Sequence, residues 1–499
     1  MQYGPGNEAD MQKCRRNGAQ TVTITTKRQA TRRGEENMAD CEATNEDFRH
    51  LDDGLPADIA RLKAAGQLER AVALIEAELD AGTRPELAAC LRAERARMLR
   101  TPLDFCVTRT RALAQVREEC PEFSEADLDR LIDAGRVDWR LVEGEQRFLP
   151  SFLDALRKYP EEVPGLACPV PSRADRLGVI AEMHENGAAE RRIRLRASIA
   201  AGADVQVGPE TRVRCWLPVP AACPQICDAR VINATPDAQI AEADARQRTA
   251  YWDVRGRREF FVDYEYTVRA PYVDLWAERL VSAPMDERSA PAPAPTVADV
   301  SERRPHIAFT PYLRGLASRI FEGFAASDQL GRARAAYDWV TNNVDYRFQP
   351  AYLLLDGIAD GCAKSLRGDC GVFAITFITL CRLGGVPARW QSGLYAAPGD
   401  VGPHDWAMFH VDGLGWLWAD CSFGSGARRE GDEERRRFYF GNLDPWRMVA
   451  NSEFMAPLAP ACDVLRNDPF DNQVGEMIVG ERGLTSHDFT WKIELVSMR

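Results

Sequence analysis

The chain of 499 residues reads as an α+β protein, and three observations predict that class. Apolar residues recur at helical spacing from about 44 to 163. The period changes to two between about 187 and 275, and an almost wholly apolar segment followed by short aromatic strands fills 370–420. Helices and strands segregated in this way give separate helical, sheet and mixed units. The length exceeds what one hydrophobic core supports, so roughly two to four domains are expected.

Residues 1–43 mix basic pairs (Arg15-Arg16, Arg32-Arg33) with Gly, Asn and Thr and show no long periodicity, so they read as a disordered tail. Met38 is an alternative start to Met1. Residues 44–163 read as an all-helical domain, with Leu68, Ala71, Val72, Ile75 and Leu79 on one face and Leu87, Cys90, Leu91 and Met98 on another. Ser124 and Asp127 resemble a capping box ahead of Leu128, Leu131 and Ile132. No residue pattern there carries chemistry, and packing is its expected role.

Residues 187–282 read as an antiparallel β-sandwich. Ile193, Leu195 and Ala197 alternate with arginines, followed by Val213, Cys215 and Leu217, then Phe260, Val262, Tyr264 and Tyr266. Trp216, Tyr251 and Trp252 are expected in its core or edges. Residues 283–304, with Ser289-Ala-Pro-Ala-Pro-Ala-Pro295, form a Pro/Ala-rich linker. The remainder, 305–499, is read as the catalytic core with a C-terminal extension. It opens with a helix at Pro311 and a second from Leu330 to Asn343, the latter with Ala333, Ala336, Tyr337 and Val340 on one face.

A net charge of −12 and a pI near 5.3 argue against a nucleic-acid partner, which needs clustered cations. No stretch approaches the ~18 apolar residues of a membrane span, and the first thirty residues lack the apolar core of a signal peptide. A cytoplasmic protein without a membrane partner is expected. The fourteen cysteines show no paired spacing, so reduced thiols are expected. Cys223 and Cys227 are a CxxxC pair without a second Cys/His pair at zinc-site spacing.

Chemistry concentrates at Cys370. It follows Gly368-Asp369 and opens the run Gly371-Val-Phe-Ala-Ile-Thr-Phe-Ile-Thr-Leu-Cys381, which predicts a buried helix. A cysteine at a helix N-terminus meets unpaired N–H groups that favour thiolate and that can also receive an oxyanion. Three strands follow: Val386–Tyr395, His404–Val411 and Trp416–Asp420. His404, at the expected start of its strand, and Asp420, at the end of the next, are placed to pair as base and orienter. His410 shares the face of His404 by parity. A Cys-His-Asp set of this order attacks carboxamide carbons.

These residues resemble the transglutaminase-like superfamily of papain-type thiol enzymes, in a bacterial branch. The resemblance rests on Gly368-Asp369-Cys370, Arg382-Leu-Gly-Gly-Val-Pro-Ala-Arg389, His404-x-Trp406 and Gly415-Trp416 running to Asp420. Phe440-Gly-Asn-Leu-Asp-Pro445 and Asp468-Pro-Phe-Asp-Asn472 look like closing segments of that branch. It implies a papain-like transglutaminase core, with Cys370 as nucleophile, His404 as base and Asp420 as orienter. The implied reaction is an acyl-enzyme one on a peptide or protein substrate, by hydrolysis foremost or by transfer of a glutamine carboxamide to an amine. A catalytically silent scaffold is the third alternative. No cofactor is expected, since no Asp-rich loop has calcium-ligand periodicity. Tyr346, Asp369 and Trp406 are candidates for the oxyanion hole or for support of the site. Arg389 and Asp405 are further candidate supports, and Trp339, Trp390 and Trp416 read as packing. The run Glu430–Arg437 reads as a solvated loop.

Overall fold

A computed structural model describes residues 41–166, 173–277 and 287–499. Most of the expected tail at 1–43, Met38 with it, and the beginning of the 283–304 linker lie outside the described residues.

The N-terminal segment carries helices Ala57–Ala64, Leu68–Ala81, Pro85–Asp104, Arg109–Glu119 and Glu125–Asp133. The capping box at Ser124 is present: its Oγ accepts the Asp127 N–H, and Asp127 Oδ2 accepts the Ser124 N–H at 2.9 Å. The segment is not purely helical. Strands Val107–Thr108, Trp139–Val142 and Glu145–Phe148 form a small antiparallel sheet. Its hairpin turns through Glu143 (φ 47°) and Gly144 (φ 81°), a two-residue turn without the Asn-Gly signature that betrays such hairpins. The first helices also share a core with the rest of the chain. Ile59, Leu68, Ala71, Ile75 and Leu91 belong to the same apolar cluster as Ile375, Phe377 and Leu380.

The sandwich contains more of the chain than its expected 187–282. One sheet orders Phe489–Met498, Ala188–Ala201, Glu259–Pro271 and Ile226–Ala234. The other orders Arg482–Gly483, Glu476–Val479, Arg212–Pro218, Thr249–Arg255 and Gln239–Ile240. The C-terminus therefore returns to complete both sheets, and what reads as an extension of the core is structural sandwich.

In the third unit, helices Pro311–Ile320 and Gln329–Asn343 precede the helix Cys370–Leu383, in which Val372–Cys381 are buried without exception. A five-stranded antiparallel sheet lies against it, ordered Phe440–Gly441, Gly415–Ala419, Asp400–Val411, Ala388–Ala397 and Arg447–Asn451. One face, with Trp390, Ala407, Phe409 and Leu417, packs on the helix. The other, with Tyr395, Trp406, Met408 and Trp418, joins the apolar cluster of the sandwich. Both faces are covered, so the sheet is the middle layer of three. Residues 430–437 are not a solvated loop: helix Glu433–Phe438 occupies the segment, with Arg435 and Arg436 buried. Arg436 pairs with Asp338 and Glu433, which pays for its burial.

Candidate active site

Cys370 is the first residue of its helix, and Asp369 is the N-cap. The Asp369 Oδ1 accepts the Val372 N–H at 3.2 Å and the Tyr352 hydroxyl at 2.7 Å. The helix mouth is crowded. A methyl group on Gly371 would stand 2.1 Å from the Tyr352 hydroxyl oxygen and 2.9 Å from Asp405 Oδ2. Glycine at 371 is the residue that lets this ring approach.

The strand Asp400–Val411 begins four residues before His404, after a turn in which Gly399 takes φ 73°. His404 therefore lies within the strand, opposite Gly393, rather than at its start. Its ring stands 4.8 Å from that of Phe423 and about 6 Å from Tyr395 and Trp406, on the sandwich side of the sheet. Asp405, one residue on, points to the helix side.

His404 and Asp420 are brought together. His404 Nε2 lies 2.8 Å from Asp420 Oδ2, and both side chains are fully buried. Asp420 also caps the helix Cys421–Arg429. Its Oδ1 accepts the Ser422 hydroxyl at 2.9 Å and the Phe423 N–H at 3.0 Å. Arg447 Nη1 reaches Oδ2 at 2.8 Å, and the same guanidinium is held by Asp444 at 2.8 and 3.1 Å. Burial alone would raise the Asp420 carboxyl, but His404 and Arg447 outweigh it and hold it well below the usual carboxylate range. The shared proton therefore sits on Nε2. Burial lowers the pKa of His404, with Asp420 offsetting part of the effect. Its Nδ1 is buried and has no hydrogen-bond partner among the described residues.

Cys370 is not brought to that nitrogen by a hydrogen bond. Its Sγ donates to Asp405 Oδ2 at 3.1 Å. Burial, then Asp405 and Asp369, push the thiol well above its ordinary value. The helix N-terminus expected to favour thiolate is thus opposed by two carboxylates. Burial, then Asp471 and Asp369, raise the Asp405 carboxyl well above its ordinary range. Asp369 is raised to about 6, chiefly by burial, against the hydrogen bonds it accepts.

Of the other candidates, Tyr346 packs its ring against Phe348 and Phe373, while its carbonyl accepts the Tyr159 hydroxyl at 2.7 Å. The phenol at the helix mouth is Tyr352. Trp406 packs on His404 and donates Nε1–H to Gln391 at 2.8 Å. Arg389 is engaged elsewhere, with Asp299 at 2.7 Å and stacked on Trp416. Trp339 is partly buried against the core. Residues outside the sequence-based set enter too. Gln473 donates to Asp405 Oδ1 at 2.5 Å and to the His404 carbonyl at 3.0 Å, and Asn451 holds Ser392 at 2.9 Å and Asp471 at 2.7 Å. Among the described residues no group of three or more His, Cys, Asp or Glu is arranged to hold a metal ion. A groove of about 420 Å³ lined by His184, Tyr272, Trp276 and Arg437 contains none of Cys370, His404 and Asp420.

Residues 315–421, which include all three, match the family described as Transglutaminase-like superfamily. The chain is similar to a Cytophaga hutchinsonii protein provisionally described as a cysteine protease, at 15% identity and TM-score 0.36, over 62% of this chain and 91% of that one. It is also similar to the periplasmic domain of TgpA from Pseudomonas aeruginosa bound to ethylmercury, at 15% identity and TM-score 0.27, over 50% of this chain and 96% of that one. No curated protein matches the chain.

Proposed function

We propose, from the premise that residues 315–421 form a transglutaminase-like core, that the protein is a thiol enzyme that opens amide bonds through an acyl-enzyme on Cys370. The observation that carries this reading is the imidazole of His404. A carboxylate orients it through Nε2 at 2.8 Å, and its buried Nδ1 has no partner among the described residues. That is the arrangement a general base needs. The reaction requires the imidazole, which in this structure stands on the sandwich side of the sheet, and the thiol, which meets Asp405 on the helix side, to come within reach of each other; Nδ1 then takes the thiol proton and Cys370 attacks the carbonyl carbon. The imidazolium then protonates the departing amine. Asp420 stays ionised throughout, held by Arg447, Ser422 and the Phe423 N–H. The N–H groups that open the helix at Cys370, apart from the Val372 N–H that Asp369 already holds, are the donors offered to the oxyanion.

Hydrolysis of a peptide or protein amide is the foremost reaction, because water is the commonest acceptor. Transfer of a glutamine carboxamide to a primary amine is the alternative. The test is a panel of peptide amides, with and without a labelled amine. Cys370→Ala is expected to abolish turnover, and Asp420→Asn to lower it by about 10²-fold or more through loss of imidazole orientation. Full activity in Cys370→Ala would overturn the reading, and label in the product would assign transfer. A second reading, a silent binding protein, draws on the contact that points Cys370 to Asp405 rather than to the imidazole. Failure of a thiol-reactive substrate analogue to label Cys370 would favour it.

A further inference from the structure

A patch of positive charge borders the helix mouth, although the chain as a whole carries a net charge of −12. Arg367 stands three residues before Cys370, in the strand Arg367–Gly368, so the two Cα atoms are at most about 11 Å apart. The strand Asp345–Tyr346 pairs with it, and the Arg347 N–H donates to the Gly368 carbonyl at 2.7 Å. Arg136 and Arg140 reach this seam from the helical segment, and Arg428 and Arg429 from the end of the helix that Asp420 caps.

Among the described residues, the three carboxylates that meet these six guanidiniums are shared. Asp345 takes Arg136 at 2.9 Å, Arg428 at 3.4 Å and Arg367 at 3.7 Å. Asp138 takes Arg140 at 2.7 Å and Arg347 at 3.9 Å. Glu162, on Arg136 at 2.9 Å, is also held by Arg130 at 3.1 Å. Arg429 meets no carboxylate among the described residues. It donates to the Lys158 carbonyl at 2.9 Å and lies over the Tyr159 ring at 4.9 Å, where Arg136 also lies at 4.5 Å. Other donors go to carbonyls: Arg367 to those of Ala134, Gly135 and Leu366, and Arg347 to that of Gly135. A carbonyl fills a donor but cancels no whole charge. The Nε atoms of Arg347 and Arg428 are buried and have no hydrogen-bond partner among the described residues. Arg347 registers the excess: burial lowers its pKa first, Asp138 opposes, and Arg140 and Arg367 lower it further.

We propose that this patch is a subsite for the carboxylates of an acidic peptide, which presents to Cys370 an amide a few residues away from them. The reaction at that amide rests on the function proposed above, whereas the binding does not. Guanidinium forks match carboxylates in shape as well as charge. A nucleic acid fits less well, because Asp138, Glu162 and Asp345 stand inside the patch and oppose a continuous row of phosphates.

The test is fluorescence anisotropy with the full chain carrying Cys370→Ala, so that no probe is consumed. The probes are a labelled peptide of alternating glycine and glutamate and its counterpart with glutamine in place of each glutamate. The acidic peptide is expected to bind about tenfold more tightly at low salt and to lose that advantage as salt is raised. Arg428→Gln combined with Arg429→Gln is expected to remove most of the preference. Arg192→Gln combined with Arg230→Gln, at exposed positions on the sandwich, is expected to leave it. Equal affinity for the two peptides, an unchanged preference in the Arg428 and Arg429 variant, or an equal loss in the sandwich variant would overturn the proposal. So would tighter binding of a single-stranded oligothymidylate. If the Arg428 and Arg429 variant fails to fold, Arg429→Gln alone, at an exposed position, takes its place: a weakened preference supports the subsite, and an unchanged one overturns it. Failure of the proposed amide chemistry registers in the turnover panel and leaves this comparison intact.

Discussion

Arg447 is wholly buried, with its guanidinium shared between Asp420 and Asp444 and lying over the rings of Phe423 and Tyr395 at 4.6 and 5.0 Å. A buried ion pair adds little over an apolar core, but removing one partner strands the others. Arg447→Met leaves two buried carboxylates without their cation. We expect a loss of about 3–5 kcal/mol in chemical denaturation, with part recovered when Asp444→Asn is added. An additive double variant would show that Arg447 and Asp444 act separately. Gly371 makes a steric prediction. Its missing side chain is where the Tyr352 hydroxyl sits, and that hydroxyl is tied to Asp369 at 2.7 Å. Gly371→Ala is expected to cost about 1–3 kcal/mol even though alanine is the better helix former. Pairing it with Tyr352→Phe, which removes the clashing oxygen, is expected to restore part of the loss in thermal unfolding.

The strand Asp400–Val411 explains what was legible and what was not. Gly-Asp-Cys-Gly before an apolar run announces the Cys370 helix, because capping and all-round hydrophobicity are local signals. The side to which His404 turns was not announced. Residues 406 and 408 are as apolar as 407 and 409, because both faces of the sheet are covered, and a strand buried twice has no parity to read. Tyr352 reaches the site from a separate short helix, and Arg447 and Gln473 from segments far along the chain, and none left a spacing to find. His306 belongs to the joint between the helical segment and the core. It is fully buried between Phe454 and Phe470, with ring centroids 5.9 and 4.5 Å away, and neither ring nitrogen is hydrogen-bonded among the described residues. Burial, and secondarily Arg97, lower its pKa to about 3. Between that value and the ordinary one near 6.5, the unfolded chain binds a proton that the folded chain does not. Stability from this group is therefore intact above about pH 6.5 and falls on acidification, by up to about 1.4 kcal/mol per pH unit. His306→Phe is expected to show a smaller loss of urea stability between pH 7 and pH 4.5 than the parent. Parallel losses would mean that His306 titrates normally.

On the scale of the whole molecule, the C-terminal strands tie the layers together. Phe489, Trp491, Ile493 and Leu495 alternate as plainly as Ile193 and Leu195 do, yet sequence order assigned them to the wrong neighbour, because pairing partners some 300 residues apart carry no local mark. Phe489–Met498 forms the edge of its sheet against Ala188–Ala201, and Phe489 is fully buried. Ending the chain at Asp488 exposes the Ala188–Ala201 strand as a new edge and uncovers the core under Phe489. Arg191, Arg192, Arg194 and Arg196 in that strand are then open to trypsin. We expect rapid cleavage there in the shortened chain and slow cleavage in the full one. The effect should extend beyond the sandwich, since Glu476–Val479 lies in the opposing sheet and is preceded by Gln473 on Asp405. Loosened sheets free that segment, so alkylation of Cys370 is expected to quicken in the shortened chain. Rapid tryptic cleavage with an unchanged alkylation rate would show that sandwich and thiol are mechanically independent.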